Sequence, residues 1–454
     1  MRVSNKYTID ATEGAVLPKL LRFILPLALS SILQIFYNAA DVVVVGRFAG
    51  SQSLAAVSST GSLVNLIVNL FIGLSVGASV LTAQYYGAHD NANVSGAVHT
   101  AMTLSFIGGC MVCVIGLTCC RGLLQLMKSP EDVIDLSTLY LRIYFCGMPA
   151  QMVYNFGAGV LRAVGDTRRP LYILSVSGLV NVCLNLVFVI VFHMDVAGVA
   201  TATIISQLIS AILVVRCLMH ADGPFRLYLS RLRLEKEKLL RILRIGLPAG
   251  LQGIVFSISN VLIQSSVNDF GSIVMAGNGA AANIEGFVYV AQNAVYQGAL
   301  TFSGQNVGAR RFDRIHHITL TCVLTVTVIG LALGLSSYIF GHQLLHIYDT
   351  NPEVIEYGML RLRIFGYSYF LCGVMEIFVA MMRGMGRSFV PMVVSLMGCC
   401  VFRVLWIYTI FRAYPTLNVL YISYPISWIL TAGVHFICYL IVKKQVTQKA
   451  LETA

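Results

Sequence analysis

Charge is what this 454-residue chain has least of: only 11% of its residues are Asp, Glu, Lys or Arg. An ordinary soluble domain carries roughly 25%. Hydrophobic residues make up 57% and mean hydropathy is +0.78. That balance excludes a soluble enzyme, a secreted disulfide scaffold and a nucleic-acid binder. The net charge of +11 does not reverse this. Its Lys and Arg residues sit in short loops between apolar runs rather than in one phosphate-binding stripe. A GxxxxGK[ST] loop is missing, so direct ATP drive would need a partner. No HExxH spacing occurs either, and the nine histidines fall almost all at loops or span ends. The twelve cysteines are expected to be reduced and to pack as small hydrophobes, as at Cys119-Cys120 and Cys399-Cys400. Asp10 and Glu13 precede a full-length apolar run, so no cleaved signal peptide is expected.

What is there is a series of twelve apolar runs, each long enough to cross a bilayer as a helix. Their limits fall near 23–45, 56–84, 95–118, 133–160, 170–192, 196–219, 243–267, 274–303, 315–340, 357–382, 390–411 and 417–441. With the N-terminus placed inside, 23 of the 31 Lys and Arg lie on the inner side. Arg47, Arg121, Lys128 and Arg412 lie outside, and this bias places both termini in the cytoplasm. Between runs six and seven lies the one long polar connection, 220–242. Leu232, Leu239, Leu240 and Leu243 can share one helix face there, which reads as a helix on the inner membrane surface. A solvated charged linker is the other reading.

The chain repeats itself across this connection. Leu25-Pro26 returns as Leu247-Pro248, and Gln84-x-x-Gly87-Ala88 as Gln305-x-x-Gly308-Ala309. Pro130-Glu131 returns as Pro352-Glu353, and Leu141-Arg142-Ile143 as Leu362-Arg363-Ile364. Arg162-x-x-Gly165-x4-Pro170 returns as Arg383-x-x-Gly386-x4-Pro391. The fold expected is all-α and polytopic, with twelve transmembrane helices in two parallel-repeat six-helix bundles. Its parts are an N-terminal lobe over 1–219, a cytoplasmic linker over 220–242 and a C-terminal lobe over 243–454. An even number of spans per half makes the repeat parallel, with a central cleft between halves, as in alternating-access transporters.

Ionisable groups inside spans are costly and point to function. Asp41 follows Gln34, Tyr37 and Asn38 at spacings of seven, four and three, on one helical face. Asn65 and Asn69 make an i,i+4 polar face on span two, and Asn181 and Asn185 another on span five. The reading is a polar cavity with Asp41 as its acid, exchanging a proton or holding Na+ with amide oxygens. A neutral aspartic acid bridging two helices is the alternative. Glu285, Tyr289, Gln292 and Tyr296 form a stripe on span eight suited to an organic cation, and Ser257, Asn260 and Gln264 form one on span seven. Packing contacts between helices would give the same stripes. Glu376 on span ten and Arg403 on span eleven are expected to pair.

These residues resemble one family, the multidrug and toxic compound extrusion (MATE) transporters. The resemblance rests on Leu25-Pro26 through Asp41 and Gly46-Arg47, on Leu54-Ala55-Ala56-Val57 and on Gly73-Leu-Ser-x-Gly77. It extends to Gln84-x-x-Gly87-Ala88 and to Arg383-Gly384-Met385-Gly386 with Pro391, covering 17–442. It implies a secondary antiporter that expels organic, often cationic or amphipathic, compounds against inward H+ or Na+. It also implies that Asp41 matches the family's first-span coupling acid. Some members build a second cation site from acids on spans seven and ten. Here span seven has none, and span five offers Asn181 and Asn185 where some members have an acid. Asp41, Asn38, Gln34, Asn181 and Asn185 are thus the expected coupling residues. Tyr37, Asn65, Asn69, Gln264, Glu285, Tyr289, Gln292 and Glu376 are the expected substrate residues. No cofactor is expected beyond the coupling ion, and the only metal would be Na+ near Asp41. Partners would be small organic substrates and the lipid bilayer, with no nucleic acid. The expected form is a monomer in the inner (plasma) membrane. A flippase for a lipid-linked precursor and an intramembrane enzyme are the rival functions. The first would want a basic cleft, and the second a metal cluster or a nucleophile with its base.

Overall fold

The computed structural model describes residues 7–126 and 131–452. Lys128 and Pro130, which the sequence places in an outer loop and in the repeat, lie outside them. Helices follow one another along the whole described chain: α1 Val16–Val44, α2 Gly50–Gly87, α3 Asn91–Leu126, α4 Glu131–Cys146, α5 Met148–Ala163, α6 Arg168–Leu186 and α7 Asp195–Met219. The second half runs through α8 Lys236–Asn268, α9 Ser272–Gly308, α10 Phe312–Ile339, the short α11 Gly341–His346, α12 Pro352–Gly384, α13 Phe389–Ser395, α14 Phe402–Trp406 and α15 Leu417–Glu452. Among the described residues ten helical segments are long and apolar enough to span a membrane. The two other expected spans explain themselves. The fourth is cut into α4 and α5 at Gly147, because Pro149 lacks the N–H that a continuous helix would use. The eighth is α9, 37 residues long but interrupted by polar and small residues that lower its hydropathy.

The chain divides into two compact units. One holds the residues up to Asp10 together with Leu29–Gly246; the other holds Ala11–Ala28 and Leu247–Ala454. The first therefore takes most of α1 but also the start of α8, and the second takes the start of α1. Both changes of membership fall next to a proline inside a helix, Pro26 in α1 and Pro248 in α8.

In the first unit α5 is the central post, packed against α2, α3 and α7. Its core joins Leu81, Val98, Phe145, Met152, Phe156 and Val214. Glycines allow the close approaches. A Cβ on Gly109 would lie 2.5 Å from the Pro149 backbone, and one on Gly77 would lie 2.3 Å from the Ile242 carbonyl. In the second unit α12 takes the same part, packed against α9, α10 and α15. Gly334 and Gly366 let α10 and α12 touch backbone to backbone. The start of α1 belongs here: Phe23 meets Phe302 edge-on at 5.7 Å between ring centres. The same helix positions thus do the same work in both halves, and the repeat read in the sequence is a repeat of packing. Both fifth spans of the halves also end in a widened π turn, Val187–Val191 and Ile407–Phe411.

Outward apolar stripes such as Leu320, Leu324 and Val328 on α10 are exposed, as a helix facing hydrocarbon requires. The polar connection is not a separate surface helix. Residues 220–235 fold as a loop on α3, with only a single turn at Leu229–Arg231, and the charged stretch after it forms the first turns of α8. His99 holds the loop: its Nδ1 meets the Ser95 carbonyl at 2.6 Å, and its Nε2 accepts the Tyr228 N–H at 3.0 Å.

Candidate functional site

In the first unit Asp41 lies half-buried near the end of α1, and Asn181 and Asn185 lie buried on α6. The structure brings the three together. Asn185 donates through Nδ2 to Asp41 Oδ1 and, at 3.3 Å, to Asn181 Oδ1. Two donations from one amide nitrogen leave Asn185 Oδ1 buried without a partner. An unpaired buried carbonyl is costly. The Asp41 and Asn181 oxygens converge on the Asn185 amide nitrogen, so a carboxylate and two amides meet at one point between α1 and α6. Tyr140 of α4, which the sequence did not single out, lies within electrostatic reach of Asp41.

Tyr37 ties the two helices together. Its hydroxyl donates to the Ser175 carbonyl at 3.3 Å, and its ring lies on Gly178, where a Cβ would meet Cε2 at 1.8 Å. Only glycine at 178 leaves room for that ring. Gln34 and Asn38 are exposed on α1; Asn65 is exposed and Asn69 half-buried on α2.

In the second unit Glu285 is buried and its charge is matched. Arg361 grips it with a fork, Nε to Oε1 at 2.8 Å and Nη2 to Oε2 at 2.7 Å. Arg361 Nη1 also donates to Asn278 Oδ1 at 2.6 Å, and Tyr421 donates to the same oxygen at 3.0 Å. Asn278 Nδ2 then donates to Gln264 Oε1 at 3.0 Å, so Gln264 joins this network. The sequence missed Arg361 as the partner, although an arginine inside a span was itself a signal that an acid lay near.

The expected Glu376–Arg403 pair does not form. Arg403 Nε donates to Ser427 Oγ at 2.9 Å, and the guanidinium lies over Tyr424 and Trp428. Glu376 is half-buried and makes no hydrogen bond or ion pair among the described residues; Arg383 reaches it only electrostatically. Arg383 itself donates to Tyr296 at 2.6 Å and to Gln252 at 2.9 Å. Gln292 is buried and donates to the Tyr369 carbonyl at 3.3 Å, whereas Tyr289 is exposed beside Glu376. Cys110 and Cys113 form a C-x-x-C pair on α3, a spacing compatible with metal or redox chemistry. All twelve cysteines are free, and among the described residues no cluster of three or more His, Cys, Asp or Glu could hold a metal.

A repeated helical bundle with a carboxylate and amides inside its spans is the architecture of a multi-pass membrane protein. The family model MatE matches residues 26–187 and again 248–409, once in each half. The chain belongs to this family, the MATE multidrug efflux transporters. It is 31% identical over 381 residues to "Probable multidrug resistance protein YoeA" of Bacillus subtilis, covering 82% of each chain. It is 23% identical to a protein of Shewanella oneidensis named FAD transporter, covering 86% of each. Among solved structures, an outward-facing MATE transporter of the MOP superfamily superposes with a TM-score of 0.90. That match is 23% identical and covers 97% of this chain and 99% of the other, so it speaks to fold alone.

Proposed function

We propose that the chain is a secondary antiporter that exports organic, cationic or amphipathic compounds in exchange for H+ or Na+ by alternating access. The observation that carries this is the meeting of Asp41 with Asn185 and Asn181, including the unpaired Asn185 carbonyl. An ion entering there changes the bonds that join α1 to α6. Pro26 lies inside α1, where it removes a backbone hydrogen bond, and in this reading the helix takes up the change there. An ion does work only if it binds the two states with different affinity. Its drive is about 2.3 kcal/mol per charge per 100 mV, plus the chemical gradient.

The family and its multidrug relatives support an organic cargo, and the FAD transporter relative widens that class beyond simple cations. In this reading the protein sits in the cytoplasmic membrane with both termini inside. The test is transport by the purified chain in proteoliposomes under a proton gradient and a sodium gradient, applied separately. Efflux of a cationic dye driven by one of them supports the proposal. Dye movement indifferent to both, or movement of a labelled lipid-linked sugar instead, refutes it and favours the flippase.

A further inference from the structure

A cavity of about 460 Å³ opens at one end of the second unit, where α8 and the π turn Ile407–Phe411 finish side by side. Small-molecule sites have volumes of roughly 300–1,000 Å³. Two opposite charges line it, Asp269 and Arg412. Both are exposed, and among the described residues neither makes a hydrogen bond or an ion pair, not even with the other. Ser265 and Ser266 line the same cavity, and their hydroxyls are likewise unbonded among the described residues. The two helix ends are nonetheless fixed to each other. Phe270, next to Asp269, packs on Phe411, next to Arg412, at 6.0 Å between ring centres.

Depth decides which ligand fits. The membrane-crossing stretches end at Asn268 and Phe411, so Asp269 and Arg412 are each the first residue past a span. They lie at headgroup level. From there the cavity runs back along the helices to Leu262 and Val404. At about 1.5 Å per residue, that is about 10 Å into the hydrocarbon layer. Its deeper wall of Leu262, Val404 and Phe411 is apolar, and Leu262 is 45% exposed. A water-soluble zwitterion would fill the polar mouth and leave this wall bare, whereas a phospholipid covers both.

The mouth is selective as well. A guanidinium presents paired N–H groups to a phosphate. A carboxylate and two hydroxyls offer oxygens to a primary ammonium, which has three N–H groups to give. A quaternary ammonium has none, and a headgroup without an amine leaves Asp269 unmatched. The arrangement belongs to the second half alone. The matching π turn Val187–Val191 is followed by Phe192, where Ile407–Phe411 is followed by Arg412. The repeated packing therefore does not require this arginine.

We propose that this cavity binds a phospholipid whose headgroup carries a primary amine, with Arg412 on the phosphate and Asp269, Ser265 and Ser266 around the ammonium. In the topology given above, the lipid belongs to the outer leaflet. The assignment does not depend on the export reading.

The test is native mass spectrometry of the full-length protein in detergent, titrated with three lipids of the same acyl chains. Dioleoyl phosphatidylethanolamine offers the phosphate and the N–H groups, dioleoyl phosphatidylcholine the phosphate and a charge without N–H groups, and dioleoyl phosphatidylglycerol the phosphate alone. The first should bind about three- to tenfold more tightly than the other two, an effect of the size of one net hydrogen bond. Asp269→Ala should bind all three alike, and Arg412→Ala should weaken all three while keeping their order. Free phosphoethanolamine, at about ten times the lipid concentration, should leave the bound lipid in place. Equal affinity of the native protein for the three lipids overturns the proposal, as does a preference that survives Asp269→Ala. Displacement by phosphoethanolamine would make the occupant a soluble zwitterion and overturn the lipid assignment. No gradient enters these readings, so a failure of ion-driven export leaves them standing, and their failure leaves the antiport reading untouched.

Discussion

At the scale of single residues, the molecule treats its buried charges in three ways. Among the described residues, Asp41 is given an amide, Glu285 an arginine, and Arg403 and Glu376 no counter-charge in bonding distance. The Glu285–Arg361 pair joins α9 to α12, and removing one side of such a buried pair costs about 3–5 kcal/mol. Glu285→Gln should therefore lower thermal stability in detergent sharply, and Glu285→Met with Arg361→Met should recover most of it. Asp166, in the loop between α5 and α6, behaves differently. It is fully buried, and burial pushes its carboxyl up to about 6, partly opposed by the Arg169 backbone N–H and guanidinium. A carboxyl whose folded pKa lies above its unfolded value of about 3.9 favours folding in acid and loses that contribution as pH rises through 6. The thermal midpoint of the native protein should fall between pH 5 and pH 7, and Asp166→Asn should flatten that slope. A slope equal in both proteins would remove Asp166 as its source. The sequence could show that Asp41, Asn181 and Asn185 each stood on a polar helix face. It could not show which arginine met Glu285, because that depends on the register of α9 against α12, which no local pattern encodes.

At the scale of helices, hydropathy and punctuation made most of the fold legible, since lipid forces each apolar run to close its own hydrogen bonds. The break between α4 and α5 was present in Gly147 and Pro149 but hidden inside an apolar run. The matching stretch of α12 around Phe370 has no proline and stays continuous. The expected surface helix at 232–243 failed because a better use existed for its residues. Arg241 at the start of α8 donates to Tyr85 at 2.7 Å and to Gln84 at 3.3 Å, which draws that turn onto α2. Helix pairing is most exposed to change where glycine carries it. Gly178→Ala should displace Tyr37 from α6, at a cost of about 1–3 kcal/mol, and should weaken ion-driven efflux along with the Asp41–Asn185 contact. Full efflux with an unchanged melting temperature would show that this contact is dispensable.

At the scale of the whole molecule, the repeat explains the matched spacing of the loop motifs in its two halves. Gln84 holds the start of α8, and its counterpart Gln305 holds the segment ahead of α1, accepting the Ala11 N–H at 2.9 Å. Asn306 and Arg314 bind the Ala11 and Gly14 carbonyls in the same place. Residues before Asp10 are claimed by the first unit, where the Ile9 N–H donates to the Val164 carbonyl and Arg169 lies over Tyr7. Gln305→Ala with Asn306→Ala should speed amide hydrogen exchange at residues 11–14 by about tenfold or more, leaving the core of the second unit protected. Unchanged exchange would mean that these side chains do not hold the segment. The central claim, however, is that Asp41 couples ion entry to export. Purified native protein and Asp41→Asn, matched for insertion, should be compared for dye efflux from proteoliposomes under the gradient that drives the native chain. The account predicts gradient-driven efflux by the native protein and none by Asp41→Asn, with dye binding preserved in both. Efflux by Asp41→Asn at the native rate would contradict it.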